Sequence, residues 1–270
     1  MHLDLVDHLR CPREHPGLDG TVALVCVPVR IDGRILHEAM LGCPTCHAQF
    51  AVIDGVMVFG DDLIVFGDGA TGARPAPPDH GARGSADARG GAGAAGDVAP
   101  HADLGVAPNG ETADELVRRA ALRNLDGPGG FVLLHADWGV HAGALATAFD
   151  ISVVTLDAPA SVARDPGDAG DARVSTIISS GGRVPLAHGV LRGVALGLGV
   201  GGALPAPALL VSAGLAVMPN GRLVAPIGCE PPPAWVELDR DPRHWVAEAR
   251  STPVTLRHAP RPPPPHTPGR

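Results

Sequence analysis

Two short motifs hold the residues best suited to chemistry: Cys11-Pro12-Arg13-Glu14-His15 and Cys43-Pro44-Thr45-Cys46. Each puts two soft donors a few residues apart, so both can face one ion. Two such pairs, on two knuckles separated by a β-hairpin, are how a zinc ribbon holds tetrahedral Zn²⁺. The expected ligands are Cys11, His15, Cys43 and Cys46. Glu14 or His47 can stand in for His15. Cys26 is less suited, because it lies inside a strand-like run. Four protein ligands leave no open position for water, so the ion would be structural. It would also supply folding energy to a region too small for a strong core. The plainer alternative is a set of ordinary buried cysteines in a ribbon that has lost its metal. A redox Cys-x-x-Cys is disfavoured, because the pair does not open a helix after a strand, where a thiolate is stabilised.

Other candidates are weaker. Gly197-Leu198-Gly199-Val200-Gly201-Gly202 formally fits a phosphate-binding G-x-G-x-x-G after an apolar strand. No acidic residue follows about twenty positions on, and Pro205 and Pro207 interrupt the helix start, so a glycine turn is the better reading. His135 and Asp137 form a conceivable acid/base pair, but near neighbours in a loop point different ways. His141, His188 and Cys229 stand alone. No Ser-His-Asp or nucleophile-elbow pattern is present.

The 270 residues must position these groups. All 21 basic residues are Arg, against 29 acidic ones, giving a net charge of −8 and a pI near 5.9. Apolar residues make up 45%, enough for a core and too many for a wholly disordered chain. Five Phe, three Trp and no Tyr leave few stacking platforms, and with the acidic balance this argues against a general nucleic-acid binder. The N-terminus lacks a basic n-region and an apolar h-region, so a cytoplasmic location is expected. Five Cys without an export signal read as metal ligands rather than disulfides. The uncharged stretch Gly193–Gly221 is long enough to span a bilayer, but its glycines and prolines break it into strand, turn and helix. No membrane span is therefore expected.

Composition divides the chain into four parts. Residues 1–62 hold four of the Cys and strand-like runs at Thr21–Val29 and Gln49–Phe59. Residues 63–110 are rich in Gly, Ala and Pro and read as a flexible linker. Residues 111–257 read as α/β. A capping box, Thr112-Ala113-Asp114-Glu115, opens a helix that Gly127-Pro128-Gly129-Gly130 ends. Strands are expected at Phe131–Leu134, Ile151–Leu156, Ser175–Ile178, Val190–Leu196 and Arg222–Ala225. Helices are expected at Ala142–Phe149 and Ala206–Val217, the second stopping at Met218-Pro219-Asn220-Gly221. Alternating strands and helices imply a mostly parallel, Rossmann-like sheet with right-handed crossovers. Residues 258–270, with Arg261-Pro262-Pro263-Pro264-Pro265, read as a disordered, polyproline-like tail.

The segments Leu5–Pro12, Leu41–Cys46 and Phe50–Phe59 resemble the small zinc-ribbon family that activates RNA and protein methyltransferases. That family shows a helix ending in Leu-x-Cys-Pro, a second Cys pair, and an exit strand with an aliphatic-x-Asp-Gly run. The resemblance covers about the first 60 residues. It departs at the first knuckle, where Glu14 stands at the second Cys position and a His follows. Residues 131–225 resemble, in layout, a class I methyltransferase dependent on S-adenosylmethionine. The resemblance implies a cofactor between Gly139, in the loop after the first strand, and Asp157, which would accept the ribose hydroxyls. Val184–Val194 and Leu209–Ala225 resemble two further segments of that family.

The gripping positions depart from the pattern. The first loop reads His135-Ala136-Asp137-Trp138-Gly139-Val140-His141, with one glycine where Gly-x-Gly is needed for close backbone approach. Ser179-Ser180-Gly181-Gly182 replaces the acidic residue for the adenine amine, and Arg192 replaces another acid. The expected function is a non-catalytic binding or scaffold protein that has lost S-adenosylmethionine, its ribbon docked in cis on the α/β domain, with a further protein partner possible in principle. The alternative is an active methyltransferase with a divergent first loop.

Overall fold

Strand signals and apolar alternation at both ends of the chain feed one sheet rather than two. The computed structural model describes residues 1–17, 21–60, 130–149, 151–159, 173–179 and 182–250. A one-turn helix, α1 (Leu3–Val6), leads to β1 (Val25–Asp32), β2 (Ile35–Gly42), β3 (Gln49–Ile53) and β4 (Val56–Phe59). These pair antiparallel in sequence order. Asp54 and Gly55 make the tight turn between β3 and β4, both at positive φ, where glycine is free of Cβ strain. β1 is the edge strand; Pro28 and a register shift beside it interrupt the row of hydrogen-bonding groups that would otherwise invite another strand.

The second half supplies β5 (Phe131–His135), α2 (Ala142–Phe149), β6 (Ser152–Leu156), β7 (Val174–Ser179), β8 (Leu191–Ala195), α3 (Pro207–Ala216), β9 (Val217–Pro226), β10 (Trp235–Arg240) and β11 (His244–Ala249). Every residue of β5 is buried, the mark of a strand covered on both faces. The order is β1-β2-β3-β4-β7-β6-β5-β8-β9-β11-β10. From β4 to β9 all neighbours are parallel; β11 and β10 close the far end antiparallel. The chain steps from β5 outward to β6 and β7, then returns to place β8 on the other side of β5. That reversal is the switch point at which Rossmann-like sheets open a crevice along their carboxyl edge.

The halves join through parallel pairing of β4 with β7, Val56–Phe59 against Thr176–Ser179. His2 N–H donates to Ser175 Oγ at 2.9 Å. Leu9 bridges Leu186, with Arg10 N–H to the Pro185 carbonyl at 2.9 Å and Ala187 N–H to the His8 carbonyl at 2.8 Å. One apolar cluster runs through Leu5, Leu9, Leu41 and Met57 into Leu133, Ile177, Leu186 and Trp245. A second, on the opposite face, gathers Val132, Leu134, Trp138, Leu145 and Val153.

The structure differs from the sequence reading in three places. Gln49–Phe59, read as one strand-like run, folds as the hairpin β3–β4, because Asp54 and Gly55 take the positive φ of a tight turn. Met218–Gly221 is no break between elements: β9 begins at Val217 and carries those residues as a bulge, with Leu191–Gly193 of β8 facing Val217–Arg222. Asn220 takes φ +64°, and a Cβ on Gly221 would lie 2.5 Å from Val217 Cγ1, so the compact bulge needs glycine there. The β10–β11 hairpin was not anticipated. The Thr112–Glu115 helix, the 63–110 linker and the 258–270 tail lie outside the described residues.

The shared core generates a test. Met57 of β4 is fully buried, and all three tryptophans lie in the second half. Met57→Ala is expected to remove about 2–5 kcal/mol, read as a lower denaturant midpoint in tryptophan fluorescence. A tryptophan transition that stays put while thiol exposure moves would mean that the halves unfold separately.

Candidate functional site

The two knuckles bring four donors to one point. Backbone turns set them. Cys43 N–H donates to the Ala48 carbonyl, and His47 N–H, at φ +58°, returns to the Cys43 carbonyl. Cys11 N–H donates to the Val22 carbonyl, which fixes the first knuckle. The ligand atoms of Cys11, His15, Cys43 and Cys46 all lie within 4.8 Å of one another. Cys11 Sγ and Cys46 Sγ are 3.7 Å apart, and His15 Nε2 is 3.2 Å from Cys43 Sγ. Zinc–sulfur bonds of about 2.3 Å give a tetrahedron with edges near 3.8 Å, so the thiol pair already has that spacing. Three sulfurs and one imidazole are a soft donor set suited to zinc.

The protonation of the cluster is uneven. Burial pushes the Cys11 thiol up to about 12, with Cys46 and Cys43 adding to the rise and the Arg13 amide opposing it. Burial also raises Cys43, but the Cys46 and Thr45 amides, the Cys46 thiol and His15 outweigh it and bring Cys43 down to about 6. Cys43 is thus held as a thiolate at neutral pH, the form that binds metal. The alternatives to His15 point elsewhere. Glu14 Oε1 pairs with Arg183 Nη2 at 2.5 Å, His47 is exposed, and Cys26 sits on β1 opposite Leu41.

A second constellation lies at the carboxyl edge. The loop after β5 is a 3₁₀ turn, Ala136–His141, and the loop after β8 holds the glycine run. A Cβ on Gly197 would overlap the Asp137 carboxylate, and would sit 2.6 Å from Trp138 Cδ1 and 2.8 Å from the His135 carbonyl. The two loops are therefore locked by the absence of one side chain. Asp137 accepts the Leu198 and Trp138 amides; burial raises its pKa, and those amides with His244 pull the other way. Trp138 is buried, with His141 and His244 edge-on to it at 6.5 and 5.4 Å. His135 is buried with Nδ1 unpartnered among the described residues, and burial lowers its pKa. Sequence reasoning missed His244, which starts the unanticipated β11; its neighbour Trp245, a buried aromatic between turn residues, was the available signal.

Gly139 faces the loop after β6: a Cβ there would be 2.5 Å from Ala158 Cβ. Asp157 follows β6 at φ +50°, and its Oδ1 accepts Ser179 N–H at 2.6 Å. Arg192 lies at the other end of the strands, its side chain across Gly130. His188 lines a cleft beside the first knuckle. Cys229 gives its carbonyl to Trp245 Nε1 at 2.7 Å, and burial raises its thiol pKa.

Strand order and switch point define a Rossmann-like α/β protein with a Cys/His cluster that can hold a metal ion. No family model and no curated protein matches the chain. Among solved structures it is similar to a proposed sarcosine dimethylglycine methyltransferase from Galdieria sulphuraria (TM-score 0.36, 16% identity, 42% of this chain and 44% of that one). It is similar to an S-adenosyl-L-methionine-dependent methyltransferase, also of proposed activity, from Methanococcus maripaludis (0.38, 10%, 53% and 85%). A third is phosphoethanolamine N-methyltransferase 2 of Haemonchus contortus (0.34, 16%, 42% and 26%). The chain spans less than half the length of the first and third. Among the described residues, no helix is long and apolar enough to cross a membrane.

Burial holds the Asp157 carboxyl above the usual range, and the Ser179 amide offsets only part of the rise. A carboxyl with a raised folded-state pKa costs stability as pH climbs from about 4 through that pKa. Asp157→Asn keeps an oxygen for Ser179 and removes the charge. It is expected to be more stable than the parent at pH 7, with the gap closing as pH falls towards 4. A gap in denaturant midpoint that does not vary with pH would mean that the charge is not the cause.

Proposed function

We propose that this chain is a non-catalytic binding protein: a structural zinc ribbon built into a methyltransferase-like sheet that no longer grips S-adenosylmethionine. The observation that carries the reading is the occupation of the carboxyl edge by the protein's own contacts. Gly139 presses on Ala158, Trp138 is buried in the core, and Asp157 Oδ1 is taken by the Ser179 amide. His135 stands at the end of the strand, where its ring hydrogen-bonds to Gly197. These residues do not fit a bound sulfonium nucleoside. The ribbon serves the sheet in cis, as the β4–β7 pairing supports. Covalent connection gives such docking a high effective concentration whatever the linker does.

A second reading is an active methyltransferase with Gly139 and Asp157 holding the cofactor. One observation favours it. Asp157 is a carboxylate kept at a strained positive φ and partly buried, both at a cost to stability. Calorimetric titration with S-adenosylmethionine separates the readings. No heat of binding is expected up to about 1 mM, a range far above ordinary cofactor affinities. Micromolar binding abolished by Asp157→Ala would overturn the non-catalytic reading.

Metal analysis of purified protein tests the ribbon. About one equivalent of zinc is expected, falling below about half in His15→Ala and Cys46→Ser, with Glu14→Gln and His47→Ala unchanged. Full zinc occupancy in His15→Ala would remove His15 from the ligand set.

A further inference from the structure

The loop between β9 and β10 shapes a groove of about 550 Å³. Its apolar lining is Pro231, Pro232, Pro233 and Trp235. These are held in place. Proline fixes φ, so the three-residue run is stiff, and Trp235 N–H donates to the Pro232 carbonyl at 2.9 Å. The indole leans on α3 where that helix has no side chain: a Cβ on Gly214 would lie 3.5 Å from Trp235 Cζ2. Trp235 is half-buried, and its Nε1–H has no acceptor among the described residues. The charged lining is Glu230, Glu237 and Arg240. Arg240 is taken by Glu237, with bonds at 2.7 and 2.6 Å. Glu230 is exposed and has no ion pair among the described residues. The groove thus offers a rigid apolar surface, one indole donor and one carboxylate without a counter-ion.

Those features ask for an apolar segment with carbonyl acceptors and a cation. Proline-rich chain supplies the first two, because polyproline II has no internal hydrogen bonds and leaves its carbonyls free. Aromatic-lined grooves hold such segments for that reason. This chain carries one beside the groove. Residues 251–270 lie outside the described residues, and they contain seven Pro, three Arg and no acidic residue. In a chain of net charge −8 that basic bias sets them apart. Their starting point is fixed. β11 runs antiparallel to β10 with Ala249 opposite Trp235, so the chain leaves the sheet at the groove's end of β10. Arg250 follows, exposed and outside the groove lining. About ten further residues, reaching at most about 35 Å, lead to Arg261, which directly precedes Pro262, Pro263, Pro264 and Pro265. The groove begins one strand away.

We propose that the groove beside Trp235 holds residues 261–265 of the same chain as a polyproline II segment. The prolines lie against Trp235 and the proline wall, Trp235 Nε1–H donates to a proline carbonyl, and Arg261 pairs with Glu230. The tether makes the encounter intramolecular, and a stiff segment has little conformational freedom to lose. None of Cys11, His15, Cys43, Cys46, Gly139 and Asp157 lines the groove, so the docking stands apart from zinc and from S-adenosylmethionine.

The test uses the full chain labelled with 5-fluorotryptophan and read by fluorine NMR, with Trp235 assigned through Trp235→Phe. Replacing Pro262, Pro263, Pro264 and Pro265 together by Ser is expected to shift the Trp235 resonance. Trp138 and Trp245, which report the fold, are expected to stay in place. Arg261→Glu is expected to shift Trp235 in the same direction, and adding Glu230→Arg to it to restore the parent position. A synthetic peptide of residues 257–268, added to the serine variant at about 1 mM, the order of concentration a short tether provides, is expected to return Trp235 to its parent position. The same peptide carrying Arg261→Glu is expected to bind at least about tenfold more weakly. A Trp235 resonance unmoved by either variant, or not returned by the peptide, would overturn the proposal. A parent resonance that drifts on dilution towards that of the serine variant would place the segment on a second copy and overturn docking within one chain.

Discussion

Parallel pairing of β4 with β7 is the contact on which the rest of the molecule depends. A parallel sheet needs cover on both faces and suffers from exposed edges. Without β4, strand β7 would present Thr176–Ser179 as an open edge. With β4 in place the edge moves outward across three antiparallel strands to β1, where Pro28 and a bulge blunt it. The exchange works in both directions. The N-terminal strands are too few to bury much apolar surface alone, but Met57, Phe59 and Leu41 join the cluster that holds Ile177 and Leu186. The two Cys/His knuckles then sit at the rim of a core they share, rather than holding an isolated module together.

At the carboxyl edge the constraint is one of space. Rossmann-like sheets leave a crevice where the strand order reverses, and ligands enter it because the loops there stand apart. Here the loops interlock. Gly197 lets the Asp137 carboxylate and Trp138 close against it, and Gly139 does the same for Ala158. The polar groups at this edge are spent largely on each other: Asp157 on the Ser179 amide, Asp137 on the Leu198 amide, and His244 against Trp138 and Asp241. Two imidazole Nδ1 atoms, of His135 and His244, remain buried without partners among the described residues.

Electrostatics shape the seam more than they stabilise it. Exposed pairs such as Arg30–Glu38 and Arg34–Asp4 contribute little, because water and salt screen them. Arg183–Glu14 differs in position rather than strength. It links the first knuckle to the segment before β8 and leaves guanidinium donors facing a cleft. The better-buried Arg222–Glu248 pair, by contrast, simply ties β9 to β11.

The sequence by itself determined the local structure and the chemical kinds. Cys11, His15, Cys43 and Cys46 were legible because knuckle spacing is local, set within a few residues by turns that Pro and Gly favour. The strands at 131–135, 152–156, 174–179 and 191–195 were legible because each is a short apolar run between turn residues. The hairpin of Trp235–Arg240 and His244–Ala249 was not, since β10 is exposed along most of its length and carries no clean alternation. Tertiary structure alone decided that 56–59 pairs with 176–179, across more than a hundred residues, because strand pairing depends on which edges are left open and not on any motif. It decided in the same way that Asp137 meets Gly197, that His244 reaches Trp138, and that Arg10 and Arg183 face one cleft. Such encounters are set by the order in which strands are laid into the sheet, and that order follows from burial summed over the whole core.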